Sequence, residues 1–161
     1  MRIIGIDPGY AIVGFGVVDY AGSEFTTLEY GSIYTQAHTD FKKRLLDIHS
    51  DLLFILDKYK PDCMSIEKLF YFSNQKTIVD VAQARGVIML SAAERNLEVY
   101  EYTPLQVKQS VVGYGRAEKK QVMNMTKNIL HLHEIPKPDD AADALALAIC
   151  HGHCSMSLRY N

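Results

Sequence analysis

The sequence predicts an α/β domain built on a mixed sheet with helices on both faces. Three observations carry that prediction. Stretches rich in Ile, Val, Phe, Tyr and Thr come first, at 2–7, 12–19 and 24–35, with only short turns between them. From residue 41 onward, helical and strand patterns alternate. The length, 161 residues, fits one domain and allows a substantial core.

The first strand runs over 2–7 and stops at Asp7, where Pro8-Gly9 follows. The second, 12–19, joins the third, 24–35, through the turn Ala21-Gly22-Ser23, giving an antiparallel meander. Residues 41–59 place Leu45, Ile48, Leu52, Ile55 and Leu56 at helical spacing, and Pro61 ends that helix. "CMSIEKLF" at 63–70 is the fourth strand; its imperfect alternation suits a strand buried on both faces. A long helix is expected over 75–95, with Ile78, Val79, Ala82, Val87 and Leu90 read as core and dimer surface. The fifth strand is 97–102. Helical patterns follow from Thr103, interrupted by the loop "VVGYGRAEKK" at 111–120. The last helix starts after Pro138, with Asp139 a candidate N-cap. One domain over 1–156 with a short tail at 157–161 is expected.

Bulk composition narrows the function classes. Hydrophobic residues make up 48% and charged residues 22%, an ordinary globular balance. No apolar run reaches the ~18 residues of a membrane span, and no leader pattern opens the chain, so a cytoplasmic, membrane-free protein is expected. Three cysteines suit reduced thiols better than a disulfide framework. The net charge of −2 gives no global pull toward a polyanion, so nucleic-acid binding must come from local basic patches.

Four carboxylates stand out against their surroundings. Asp7 ends an apolar strand, although an Asp before Pro-Gly is also ordinary turn chemistry. Glu67 lies inside an apolar strand, where a lone Glu either faces solvent or needs a cation or donors to offset its desolvation. Asp140 and Asp143, three residues apart, share one face of a helix otherwise built from Ala and Leu. Complementing the helix dipole accounts for Asp139 and Asp140, but poorly for the deeper Asp143. If the first and fourth strands are neighbours, Asp7 and Glu67 lie side by side. Four clustered carboxylates raise one another's pKa. Two Mg²⁺ ions, roughly 3.5–4 Å apart, relieve that repulsion and clamp a phosphodiester.

"GIDPG" at 5–9, "IEKLF" at 66–70, "QARGV" at 83–87, "VKQSVVGYGRAEKKQV" at 107–122 and "DAADALALAICH" at 140–151 together resemble the RuvC-type Holliday-junction resolvases, in order and spacing. The resemblance implies an RNase H-like fold: a five-stranded mixed sheet whose first three strands are antiparallel. It implies a homodimer that nicks two opposed strands of a four-way DNA junction, using two Mg²⁺ per subunit with Mn²⁺ as a substitute. The family's acidic quartet falls on Asp7, Glu67, Asp140 and Asp143, its functional lysines on Lys108 and Lys119, and its junction-wedging aromatic on Phe70. A branch-migration motor complex is a further partner class. Three departures stand out: Val13 where Thr is frequent, Ile78 where a smaller residue is usual, and no basic C-terminal tail.

Lys108, Arg116, Lys119 and Lys120 bracket "GYG", and such a glycine-containing basic loop suits a phosphate backbone. Lys119 is the choice for a phosphate or leaving-group contact. Lys68, Lys76 and Arg85 are candidates to extend the patch, with Lys76 and Arg85 equally read as surface charges on a helix. Phe70, Tyr71 and Phe72 cannot all face one core, and Phe70 is the choice for stacking on an unpaired base. "CHGHC" at 150–154 crowds its ligand types too closely for a zinc site. Another RNase H-like nuclease acting on RNA, a non-catalytic junction-binding module and an actin-like ATPase are the alternatives. The ATPase class needs two lobes, for which this chain is too short.

Overall fold

The computed structural model describes residues 1–69 and 77–157. Five strands, β1 (Arg2–Asp7), β2 (Ile12–Ala21), β3 (Glu24–Tyr34), β4 (Cys63–Glu67) and β5 (Glu98–Tyr102), form one sheet in the order β3-β2-β1-β4-β5. The β1–β2 and β2–β3 pairs are antiparallel, while β1–β4 and β4–β5 are parallel. This is the mixed sheet expected from the element order.

Strand alternation divides the core. Ile4 and Ile6 of β1 and Met64 and Ile66 of β4 face α1 (Phe41–Tyr59) and α2 (Ile78–Glu94), against Ile48, Leu52, Ile88 and Ala92. Ile3 and Cys63 face the other way, toward α5 (Asp139–Ser157), which presents Leu145 and Ile149. Each fully buried aliphatic side chain contributes about 1.5–3 kcal/mol, so the two layers hold the sheet from both sides. Helices α3 (Pro104–Val112) and α4 (Lys119–Ile129) cover the α5 side.

The helix boundaries have local causes. Asp40 caps α1 by accepting from the Lys42 amide at 3.0 Å, and Lys60 closes it in the left-handed region. A capping box between Thr103 and Gln106, with Pro104 in the first turn, starts α3, and Gly113 ends it at φ 81°. The buried face of α2 is Ala84, Ile88, Ser91 and Ala92, whereas Val79, Ala82 and Leu90 point to solvent. The stripe read as core and dimer surface is therefore divided: Val87 packs against the core, and the exposed members leave an outward apolar face. One expectation changes. Asp139 lies inside the first turn of α5 rather than capping it.

Three glycines let α5 lie directly on the sheet. A Cβ on Gly5 would stand 1.9 Å from the Ala144 carbonyl oxygen, and one on Gly14 would stand 2.0 Å from that of Asp140. On Gly16 it would meet the Leu145 side chain at 2.6 Å. Gly5 pairs with Gly16 and Asp7 with Gly14 across β1 and β2, so the seat is a continuous strip. Ser65, fully buried in β4, donates to the Leu147 carbonyl at 2.7 Å and ties the other side of α5 down.

Candidate active site

The strip under α5 leads to the carboxyl end of the parallel pair. Ile6 and Ile66 are in register, so Asp7 and Glu67 follow one step later on neighbouring strands, both on the α5 side. Seating α5 on Gly14 then places Asp140 beside Asp7, since Gly14 is the β2 partner of Asp7. Asp143 follows on the same helix face.

The electrostatics show the four acids acting on one another. Burial pushes Asp7 up from 3.8 to about 8, and repulsion from Glu67, Asp143 and Asp140 adds to it, while Lys119 opposes. Glu67 is also raised, first by burial and then by Asp143, with Lys119 again opposing. Burial raises Asp143, despite its contact with Lys119. The Lys119 ammonium donates to Asp143 Oδ2 at 2.8 Å and stands 3.7 Å from Asp139 Oδ2. Lys119 and Lys120 open α4, where the helix dipole disfavours a cation by about 0.3–1 kcal/mol. The acidic cluster offsets that for Lys119.

The donor set suits hard divalent cations: all-oxygen, anionic, and short of positive charge. Among the described residues, no three His, Cys, Asp or Glu side chains stand close enough together to enclose a metal ion by themselves. Magnesium does not demand that, since it keeps several waters and binds through one or two carboxylates with phosphate oxygens. His151 is buried, meets the Tyr102 hydroxyl at 2.8 Å and stacks on Tyr100 at 4.2 Å.

Asp7, Glu67, Asp140, Asp143 and Lys119 are therefore brought together. Lys108 joins Glu67, Asp143 and Lys119 in lining an adjacent cleft of about 290 Å³. Arg116 and Lys120 are exposed on the loop and the first turn of α4. Phe70, with Tyr71, Phe72 and Lys76, lies outside the described residues. Arg85, weighed as part of the basic patch, pairs instead with Glu101. The glycine strip and Ser65 were missed as site-forming residues. The available signal was Gly-x-Gly inside a strand, which marks close backbone approach.

The sequence matches the family model described as Crossover junction endodeoxyribonuclease RuvC over residues 3–151. This chain belongs to the RuvC family. The Crossover junction endodeoxyribonuclease RuvC of Halothermothrix orenii is 54% identical over 153 residues, covering 95% of this chain and 93% of that protein. The Thermus thermophilus RuvC structure superposes with a TM-score of 0.91 at 34% identity, covering 98% of this chain and 96% of that one. The same protein in complex with Holliday junction substrate gives 0.89 at 32% identity, with the same coverage. RuvC family nucleases are metal-dependent, which the oxygen-only cluster fits. The fold is the RNase H-like α/β arrangement that the resemblance implied.

Proposed function

We propose that this chain is a structure-specific endonuclease that resolves four-way DNA junctions by symmetric paired nicks, leaving 5′-phosphate and 3′-hydroxyl ends. The observation that carries the reading is the buried acidic cluster at the ends of β1 and β4, in a RuvC-family chain. The Thermus relative, seen with a Holliday junction, supports the substrate class.

Asp7, Glu67, Asp140 and Asp143 hold two Mg²⁺, with Mn²⁺ able to substitute. Bound there, the ions supply activation of the attacking water and stabilisation of the leaving 3′ oxygen. Asp7 and Glu67 sit on rigid parallel strands, and Asp140 and Asp143 come in from α5, so the protein fixes both sides of the scissile phosphate. Lys119 exchanges its contact with Asp143 for a phosphate oxygen. Lys108, Arg116 and Lys120 hold flanking phosphates, and Phe70 wedges the crossover. Two copies act together. The outward apolar face of α2, with Val79 and Leu90 more than half exposed, supports contact between them. One nuclease domain spans 1–156 and acts in the cytoplasm, with a branch-migration motor complex as a further partner. Among the described residues no helix is long and apolar enough to cross a membrane.

The test is direct. Synthetic four-way DNA junctions, linear duplex and RNA–DNA hybrid are incubated with the protein, with and without Mg²⁺. Paired, ligatable nicks are expected in the junction alone, and only with Mg²⁺. Equal cutting of the hybrid would favour the RNA-directed alternative, and binding without nicking would favour the junction-binding module.

Lys119→Ala is expected to slow nicking about 100-fold, the scale of losing one positioned donor. Because the ammonium lowers Asp7 and Glu67, its loss moves the acidic limb of the pH–rate profile to higher pH. Single-turnover rates between pH 6 and 9.5 measure both.

A further inference from the structure

Arg44, the fourth residue of α1, is held in place with half of its donors unused. Its Nε donates to the Thr35 hydroxyl at 2.8 Å, and its guanidinium lies over the Tyr10 ring, 4.7 Å from the centroid. Thr35, 9% exposed, donates in turn to the Tyr10 carbonyl at 2.7 Å, so one hydroxyl fixes both the loop after β1 and the arginine. The face and one edge of the guanidinium are therefore set, while its two terminal nitrogens donate to nothing among the described residues. The acids of the same helix end are engaged by lysines: Lys42 stands 3.5 Å from Asp40, and Lys43 stands 3.4 Å from Asp47. Arg2, Arg85 and Arg95 each pair with a carboxylate, those of Asp19, Glu101 and Asp57. Arg44 pairs with none among the described residues. A positioned guanidinium whose fork stays open is a preorganised seat for an oxyanion.

The location decides which oxyanion. Asp7, Gly14 and Ser32 form one row across β1, β2 and β3. Tyr10 and Thr35 both lie beyond that row, so Arg44 overhangs the end of the sheet where the acids stand. It reaches that end from the α1 layer, whereas Lys119 comes from α4 on the α5 side. We propose that Arg44 binds a non-scissile phosphate of the DNA junction, with Tyr10 and Thr35 as the residues that position its guanidinium. The proposal rests on the reading in which the four carboxylates hold the scissile phosphate. Anchors on opposite faces of the sheet, Lys119 on one and Arg44 on the other, fix the direction in which the DNA crosses the acids as well as its position.

The probe is a synthetic four-way junction in which each linkage around the nick is replaced, one at a time, by an uncharged methylphosphonate. Binding is read by anisotropy, with Ca²⁺ replacing Mg²⁺ to hold nicking. Arg44→Met keeps an apolar stem on the Tyr10 ring and removes the fork. It is expected to weaken junction binding about tenfold, the scale of one charge-assisted contact. The plot of log affinity against log salt is expected to become shallower by about 0.9 for each subunit engaged. At one non-scissile linkage the methylphosphonate is expected to cost wild type about tenfold and Arg44→Met under about twofold. Arg44→Lys, which keeps the charge without the fork, recovers the salt slope but not the full affinity. A general loss of stability does not produce coupling to one linkage, and Arg44→Gln repeats the cycle should Arg44→Met not fold. The inference is overturned if the uncharged variant keeps both affinity and salt slope. It is also overturned if every methylphosphonate costs that variant what it costs wild type, since Arg44 would then only tie α1 to the loop after β1. Wild type that does not bind the junction would sink the parent reading, whereas binding without the coupling sinks this one alone.

Discussion

Asp7→Asn is expected to abolish nicking and, at pH 8 without divalent ions, to make the protein more stable. Burial and three neighbouring carboxylates lift Asp7 from 3.8 to about 8 in the fold. Between those values the folded state binds more protons at Asp7 than the unfolded state, so stability falls as pH rises through that window. Roughly four units at about 1.4 kcal/mol each set a ceiling near 6 kcal/mol at pH 8. Relaxation and water entry reduce this, and a gain of about 2 kcal/mol is the expected value for Asn. For a chain of this size that is a melting temperature about 4–8 °C higher. At pH 4.5 Asp7 is protonated in the fold and close to its unfolded titration, so the difference nearly vanishes. Adding Mg²⁺ at pH 8 raises the wild-type melting temperature by linkage and narrows the gap, because the wild type binds the ion more tightly. Differential scanning fluorimetry at pH 4.5 and 8, with and without Mg²⁺, reads all four conditions. A wild type as stable as the variant at pH 8 without metal would show that the carboxylates do not strain one another. Nicking is expected to fall at least about 1,000-fold, since the carboxylate charge is gone while the side-chain shape remains.

The same logic explains what was legible in the sequence. Asp7 and Glu67 could be found because each interrupts an apolar strand, and a buried carboxylate needs a reason. Asp143 could be found because its helix neighbours are Ala and Leu, which predict close packing. The mixed character of the sheet followed from a meander preceding alternating helices and strands, while the pairing of β1 with β4 entered only as a condition. Which members of the α2 stripe face the core was not legible, because the buried Ala84, Ser91 and Ala92, beside Ile88, are less hydrophobic than the exposed Val79 and Leu90. Nor did the sequence announce the contact between Lys119 and Asp143, 24 positions apart, which depends on how α4 crosses α5. The glycines of β1 and β2 look like weak strand residues until the backbone lying on them is known.

Those glycines carry the second large effect. Gly14→Ala is expected to destabilise the protein by about 3 kcal/mol, at the upper end for overpacking, and to reduce nicking at least about 100-fold. The added methyl would stand 2.0 Å from the Asp140 carbonyl oxygen and 2.4 Å from its carbonyl carbon. These are backbone atoms of α5, so no side-chain rotation relieves the clash, and the helix or β2 must move. Lifting the first turn of α5 carries Asp140 away from Asp7, the β2 partner of Gly14. A displacement of about 1 Å is enough to cost two orders of magnitude in a positioned reaction. Adding Asp140→Gly, which removes the Cβ that alanine would keep, separates this from simple side-chain crowding. If the clash is with the backbone, Gly14→Ala/Asp140→Gly melts no higher than Gly14→Ala, since glycine adds only its own helix cost of about 1 kcal/mol. A double variant more stable than Gly14→Ala would instead mean that the Asp140 Cβ, 2.9 Å from the new methyl, was the obstacle. In that case the glycine would make room for one side chain and not for the helix backbone. With the backbone contact, α5 is held at a distance only glycine permits, and that distance sets the separation between the strand acids and the helix acids.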